Sequence, residues 1–176
     1  MRLLALALLA GLANTACDSA RPPAQTDVQV PKIALAGRVI DKANVLEPAD
    51  EQGLASVSEQ LEKRTTDQLV IVTLESLNGA SIEQVGYALG NVWGVGRKDL
   101  NNGVLLLLVP SEQRVRIEVG VGLEGLLTDE RAANIVRNML PSFRSGSYAA
   151  GINRGATDIA TLLQSDGRRP QPKVAA

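Results

Sequence analysis

Three short apolar runs in the middle of the chain predict β-strands. Residues 68–74 (QLVIVTL) are rich in β-branched side chains and have the length of a buried strand. Residues 103–109 (GVLLLLV) are apolar on both faces, which indicates a central strand that is covered on each side. Residues 114–119 (RVRIEV) alternate polar and apolar positions, so one face should meet solvent. The turn at residues 110–113 should fold the last two runs into an antiparallel hairpin.

Four stretches with apolar residues at helical spacing surround these strands and predict α-helices. The first has a proline in its first turn and basic residues at its end, an order that suits the helix dipole. A capping box, Ser81-Ile-Glu-Gln84, opens the second helix. The third should begin near Asp129 and stop at Pro141, and the fourth should cover residues 148–163. The order α-β-α-β-β-α-α predicts an α/β fold, in which a small mixed β-sheet with a C-terminal hairpin is flanked by about four α-helices.

The composition limits the chemistry that the chain can carry out. It has no histidine and one cysteine, Cys17. Catalytic triads with an imidazole base, His-ligated metals, Cys-rich metal sites and disulfide frameworks are therefore excluded. Any metal site must use oxygen ligands, which favours Ca²⁺, Mg²⁺ or Mn²⁺.

Nucleic acid is not an expected partner of this chain. The formal net charge is −1, acidic and basic residues are interleaved, and no basic stripe is present. Aromatic residues make up only 2% of the sequence, too few for a groove in which single-stranded bases stack.

The N-terminal residues are typical of a bacterial targeting signal. One arginine precedes an apolar stretch of about 11 residues, which is too short to span a bilayer. The following Asn14-Thr-Ala-Cys17 is similar to the lipobox of bacterial lipoproteins, although the family pattern usually has Leu where this chain has Asn14. We therefore expect lipidation of Cys17, and Asp18 after it resembles the signal for retention in the inner membrane. The alternative is an ordinary cleaved signal with an incidental cysteine.

These features predict four segments along the chain. Residues 1–16 are the expected signal peptide, and residues 17–36, polar and rich in proline, are the expected tether. Residues 37–164 should form the folded domain, and residues 165–176 a flexible tail. The expected location is the periplasmic side of the cell envelope, where a lipid on Cys17 would anchor the protein in the membrane.

Residues 120–125 spell G-x-G-x-x-G, the fingerprint of dinucleotide-binding folds. In those folds the helix opens inside the motif and a further strand follows it. Here the helix opens after the motif, near Thr128, and no strand follows. The sequence therefore argues against a nucleotide cofactor.

Several separated motifs together resemble the TPM domain family, which also has members in bacterial envelopes. They are residues 41–46 (DKANVL), 93–98 (WGVGRK), 101–108 (NNGVLLLL), 116–129 (RIEVGVGLEGLLTD) and 141–144 (PSFR). The resemblance covers about residues 37–163. It implies a range of functions, because some relatives bind calcium, a plant member has been described as an acid phosphatase, and others are similar to accessory proteins of membrane complexes.

The predicted topology gathers polar residues at one edge of the sheet. The hairpin should bring the residues before the central strand next to Gly120 and Gly122, and a right-handed crossover should start the first strand at the same edge. The oxygen-bearing candidates for a Ca²⁺ or Mg²⁺ site at this edge are Asp67, Asp99, Asn101, Asn102, Glu124 and Asp129. Arg97 and Lys98 could instead hold an anion such as phosphate. Asp41 is expected nearer the opposite edge.

Two functions are compatible with this edge. The first is an envelope-tethered accessory or binding domain with a divalent-cation site, and with an unidentified membrane protein complex as its partner. The second is a metal-dependent acid phosphatase, a phosphomonoesterase. No residue has a visible orienting partner that would make it a catalytic base, so the sequence assigns no catalytic residue. The polar residues could also be ordinary turn and cap residues.

Overall fold

The computed structural model describes residues 33–165. The predicted signal peptide, Cys17, most of the predicted tether and all but the first residue of the predicted tail lie outside these residues. The described helices and strands are, in chain order, β1 (Val39–Asp41), α1 (Pro48–Thr65), β2 (Gln68–Thr73), α2 (Ile82–Trp93), β3 (Gly103–Val109), β4 (Arg114–Val119), α3 (Asp129–Arg144) and α4 (Tyr148–Ser165). The predicted α/β class is confirmed. One additional strand, β1, comes before the first element that the sequence predicted.

The strands form one mixed sheet in the order β1-β2-β3-β4. β1, β2 and β3 are parallel, and β4 runs antiparallel to β3. Gln68 is opposite Gly103 in the first register, and Val104 is opposite Val119 in the second. The predicted hairpin and the predicted parallel arrangement of β2 and β3 are therefore both confirmed, and the starts of β2 and β3 lie beside the end of β4.

Helices cover both faces of this sheet, so the fold has three layers. Leu105, Leu107 and Val109 belong to a core cluster with α2 on one face. Val104, Leu106 and Leu108 belong to a second cluster with α1, α3 and α4 on the other face. Because successive side chains of a strand point to opposite faces, only an unbroken apolar run can fill both clusters. The prediction that the third strand of the sheet is central and buried is confirmed.

The ends of α2 are set by local sequence signals. Ser81 Oγ accepts a hydrogen bond from Gln84 N at 3.2 Å, and Gln84 Oε1 accepts one from Ser81 N at 3.0 Å. This is the predicted capping box. At the other end Gly94 adopts a left-handed conformation with φ of 60°, which favours glycine and releases the chain into the loop before β3.

The prediction that Pro141 ends the third helix is wrong, because α3 continues through Pro141 to Arg144. Pro141 cannot donate the backbone hydrogen bond to the residue four positions earlier, but this is a single lost bond, and three helical residues follow it. Side chains of α3 on either side of Pro141 pack closely against α4. A Cβ on Gly155 would lie 2.5 Å from Met139 Sδ, and a Cβ on Gly151 would overlap the Phe143 ring. The two glycines therefore allow α3 to approach α4 closely.

Between residues 33 and 165, no helix is long and apolar enough to cross a membrane.

Candidate functional site

The candidate site lies where β2 and β3 start and β4 ends, an edge that we call the glycine edge. Backbone hydrogen bonds join its loops. Gln68 N donates to Asn102 O at 3.0 Å, Gly120 N donates to Gly103 O at 2.8 Å, and Gly122 N donates to Asn101 O at 3.1 Å. The loop of residues 94–102 and the loop of residues 120–124 therefore lie against each other, as the hairpin register predicted.

Close backbone approach explains the glycines of the G-x-G-x-x-G motif. A Cβ on Gly120 would overlap Asn101 O, and a Cβ on Gly122 would overlap Leu100 O. A Cβ on Gly125 would meet nothing within 4 Å. The first two glycines are thus required by the contact between the loops, and that contact accounts for them without a nucleotide.

Asn102 ties this edge together from inside. It is 4% exposed, and its Oδ1 accepts a hydrogen bond from Arg97 N at 2.8 Å. Its Nδ2 donates to Thr66 O at 2.9 Å and to Asp67 Oδ1 at 3.0 Å. Both ends of the amide are engaged, so Asn102 connects the end of α1, the start of β2 and the loop before β3.

Gln68 has a matching role that the sequence did not reveal. Its Oε1 accepts from Gly96 N at 2.8 Å, and its Nε2 donates to Glu62 Oε1 at 2.9 Å. It therefore links α1 to the same loop that Asn102 holds. The only signal in the sequence is a polar residue directly before a buried apolar run.

A small groove opens to solvent at the glycine edge, between the C-terminal half of α2 and the loop after β4. We call it the glycine-edge groove, and its volume is about 240 Å³. Its polar side chains are Tyr87, Asn91, Asn101, Glu118 and Glu124. The groove thus contains two carboxylates and two amides, and no basic side chain lines it.

Two of these side chains differ in how freely they could bind a ligand. Glu118 accepts from Arg116 Nε at 2.7 Å, and its side chain is partly buried. Glu124 is exposed in the middle of the connection between β4 and α3. Asn101 is also exposed and has a left-handed backbone with φ of 48°. Glu124 and Asn101 are therefore readily accessible oxygen donors of the groove, as is the exposed Asn91, whose amide donates through Nδ2 to Tyr87 O at 2.8 Å.

The sequence of this chain matches the model of the TPM domain family over residues 39–162. The family model is labelled TPM phosphatase. The chain belongs to the TPM domain family. The resemblance found in the sequence is thereby confirmed. A comparison with curated proteins gave no match.

Solved structures of similar chains support the same fold for this TPM domain. The N-terminal domain of a protein from P. gingivalis is 37% identical, with a TM-score of 0.68, and the match covers 74% of this chain and 84% of that chain. The N-terminal domain of the cg2496 protein from Corynebacterium glutamicum is 15% identical, with a TM-score of 0.61 and coverage of 84% and 94%. The BA42 protein from Bizionia argentinensis is 17% identical, with a TM-score of 0.58 and coverage of 67% and 81%. The last two show a shared fold alone.

The TPM domain distributes the predicted site residues over neighbouring places. Asp67 and Asn102 form a buried pair. Arg97 pairs with Asp99 at 3.3 Å on the exposed part of the loop.

The remaining predicted residues are at the surface. Lys98 is exposed on the same loop as Arg97. Asn101 and Glu124 line the glycine-edge groove, whereas Asp129 begins α3 and lines a second, larger groove that it shares with Glu124. Glu124 thus connects the two grooves.

No cluster of three or more acidic, histidine or cysteine side chains that could hold a metal ion is found within the described residues. A metal at this edge would therefore depend on amide and backbone oxygens as well as on carboxylates. The predicted metal site stays a prediction.

Sequence reasoning missed three side chains of the groove, namely Tyr87, Asn91 and Glu118. Tyr87 is 67% exposed although it is aromatic. A Cβ on Gly86 would be 3.4 Å from Glu118 Oε2, so this glycine lets α2 lie close to the Arg116–Glu118 pair. The available signal was a pair of glycines inside a predicted helix, at Gly86 and Gly90.

Asp41 lies at the opposite edge, as expected. Its Oδ2 accepts a hydrogen bond from Leu46 N at 2.9 Å, and its Oδ1 accepts one from Thr73 Oγ1. Thr73 Oγ1 in turn accepts from Ala43 N at 3.0 Å. Asp41 therefore closes the loop between β1 and α1.

Proposed function

We propose that this TPM domain is a binding or accessory domain of the bacterial cell envelope, and that its glycine-edge groove holds a divalent cation, Ca²⁺ or Mg²⁺. The observation that carries the proposal is the convergence of carboxylate and amide oxygens from α2, β4 and two loops on one groove without a basic side chain. Hard divalent cations bind such oxygens. Few carboxylates take part, so the affinity should be weak, with a Kd of about 10⁻⁴–10⁻³ M.

The residues of the proposed site have unequal roles. Glu124 and Asn101 would contact the cation directly, and Glu118 would do so in competition with its ion pair to Arg116. Asp67 and Asn102 lie behind the groove and hold the loop that carries Asn101. The proposed cation site therefore stays at the edge that the sequence predicted. Only the solvent-facing side chains of that edge are proposed to contact the cation directly.

Thermal unfolding in a calcium titration tests this proposal. Binding to the folded state alone should add about 1.4 kcal/mol to stability when calcium reaches about ten times Kd. For a domain of this size the Tm should rise by about 3–6 °C. Glu124→Gln removes a charge and keeps the shape, so it should abolish most of the rise. Glu75→Gln, an exposed carboxylate of the loop after β2, should keep it.

Two outcomes would refute the cation site. One is an unchanged Tm up to about ten times the weakest expected Kd, which is on the order of 10 mM. The other is an equal rise in wild type and Glu124→Gln. An equal loss in Glu75→Gln would mean that general charge, rather than the groove, produces the effect.

The envelope location is proposed from the sequence of residues 1–18, since the small residues before Cys17 fit a lipidation signal. We expect the mature protein to fractionate with membranes through a lipid on Cys17. Cys17→Ser should release it or leave it unprocessed. A variant that fractionates like wild type would contradict the lipid anchor.

A phosphomonoesterase activity is the second candidate, and the label of the family model favours it. If the domain is an enzyme of this kind, a phosphate monoester should be hydrolysed only when Ca²⁺ or Mg²⁺ is present, and Glu124→Gln should abolish the reaction. Absence of hydrolysis with either metal would leave the binding role. Metal-independent hydrolysis that survives in Glu124→Gln would place the chemistry outside the glycine edge.

A further inference from the structure

A second cleft lies at the opposite edge of the sheet, beside the carboxyl end of β3. We call it the arginine cleft, and its volume is about 540 Å³. Its lining comes from the end of β3, the start of β4, the end of α3 and the start of α4. In parallel sheets ligands often bind outside the carboxyl ends of the strands, and this volume falls in the range of about 300–1,000 Å³ that small-molecule sites occupy.

The charged side chains that line this cleft are both positive. Arg114 and Arg144 line it, and no acidic side chain does. Neither arginine belongs to any of the ion pairs formed within residues 33–165. Arg116, two positions further along β4, is by contrast paired with Glu118 at 2.7 Å. The cleft therefore presents two guanidinium groups that are not neutralised by a contacting carboxylate.

The remaining wall is aromatic and apolar. The rings of Phe143 and Tyr148 are 5.8 Å apart between centroids and tilted by 34°. The Phe143 ring is pressed against α4 at Gly151, where any Cβ would overlap it. Leu108 and Leu140 add apolar surface. A planar apolar group would thus find a preformed surface next to the two arginines.

We propose that the arginine cleft binds a small organic anion that carries an aromatic ring. A guanidinium group matches the two oxygens of a carboxylate, sulfonate or phosphate by bidentate hydrogen bonds. The ring of the ligand would pack on Phe143 and Tyr148 in an offset or tilted arrangement. This site is independent of the proposed cation site, which lies at the other edge and is lined by carboxylates.

Three matched probes test the proposal in titrations of the full chain, followed by backbone amide NMR shifts. Benzenesulfonate has both the ring and the charge, benzenesulfonamide has the ring without the charge, and methanesulfonate has the charge without the ring. Benzenesulfonate should shift amides near Arg114 and in the segment from Phe143 to Tyr148. It should bind at least about tenfold more tightly than either of the other probes, because charge-assisted hydrogen bonds and ring contact contribute together. Equal binding of benzenesulfonamide or methanesulfonate would overturn the proposal.

Single variants identify the groups responsible. Arg144→Gln and Arg114→Gln should each weaken benzenesulfonate binding about tenfold, the loss of one charge-assisted interaction. Both residues are exposed, so the fold should persist in each variant. Arg64→Gln is the control, because Arg64 is an exposed α1 residue that bonds Gln164 at 3.0 Å. Unchanged binding in both cleft variants, or equal weakening in the control, would overturn the proposal.

Discussion

The polar and charged side chains at the two edges of the sheet differ in whether they already have partners in the protein. At the glycine edge, Asn102 uses its amide on Arg97 N, Thr66 O and Asp67, and Arg97 itself pairs with Asp99. At the opposite edge, Arg114 and Arg144 line a cleft that contains no carboxylate. Much of the polar density at the glycine edge therefore holds loops in place, while the arginines remain available to a ligand.

Residue type alone therefore does not identify a binding site. Asp and Asn are favourable cation ligands, but they are also the residues that best satisfy backbone groups in loops. Burial together with hydrogen bonding separates the two roles, because Asn102 is 4% exposed and its amide already holds Arg97 N, Thr66 O and Asp67 inside the protein. At the glycine edge Asn91, Asn101 and Glu124 remain as accessible oxygen donors.

The largest effect should come from the sheet that separates the edges. Leu106 is 0% exposed, and Leu106→Ala should lower the free energy of unfolding by about 2–5 kcal/mol through lost burial and the remaining cavity. Urea denaturation measures this change. Val92→Ala, at a side chain that is 76% exposed, should stay within about 0.5 kcal/mol. A cost below about 1 kcal/mol for Leu106→Ala would contradict the central position of β3.

Asn102→Ala tests whether the buried amide at the glycine edge holds the loops of that edge in place. It leaves Arg97 N and Asp67 without their amide partner, so stability should fall by about 2–3 kcal/mol. Asp99→Asn breaks only an exposed ion pair and should cost less than about 1 kcal/mol. Equal costs in urea denaturation would mean that the buried and exposed pairs of this edge do not differ, against the comparison drawn above.

The glycine motif offers a matched pair within six residues. Gly122→Ala should cost about 1–3 kcal/mol, because the added Cβ would overlap Leu100 O and force the loops apart. Gly125→Ala meets nothing within 4 Å and should change stability by less than about 0.5 kcal/mol. Similar losses in thermal unfolding for both variants would show that loop contact does not explain the motif.

The sequence predicted the sheet well because its strands carry strong patterns. The unbroken run before Pro110 and the alternation after it gave the central strand, the hairpin and therefore the position of the glycine edge. The strand β1 gave no such signal, since three residues are too few for a period to be recognised. The prediction for Pro141 was wrong because the loss of one backbone hydrogen bond did not stop the helix, which continues for three residues beyond it.

The candidate site was predictable only in part. Register placed Asp67, Asn101 and Asn102 at one edge, but it could not show that Asp67 and Asn102 bond each other. Tyr87 was missed because its helix brings it to the groove through tertiary packing. The arginine cleft also depends on tertiary packing, as the arginines are 30 residues apart (144 − 114).

The smallest effect on stability should come from Glu83, which lies near β4. The pKa of Glu83 is lowered below 4.5, mainly by a hydrogen bond from its own backbone N–H and next by one with the Ser81 side chain. The positive charges of Arg116 and Arg114 lower this pKa further. A lowered folded-state pKa contributes stability above pH 4.5 that is lost as pH falls. Between neutral and acidic pH, the urea concentration at the unfolding midpoint should therefore fall slightly less for Glu83→Gln than for wild type. A variant with the wild-type pH profile would contradict this contribution.

Backbone amide NMR during a calcium titration shows whether the accessible face of the glycine edge binds a divalent cation. We expect progressive, saturable shifts at Asn101, at Glu118 and in residues 120–124, with residues 143–148 unaffected. The same pattern should be strongly reduced in Glu124→Gln. Absence of saturable shifts at the glycine edge, or shifts that centre on another part of the domain, would contradict the proposed cation site.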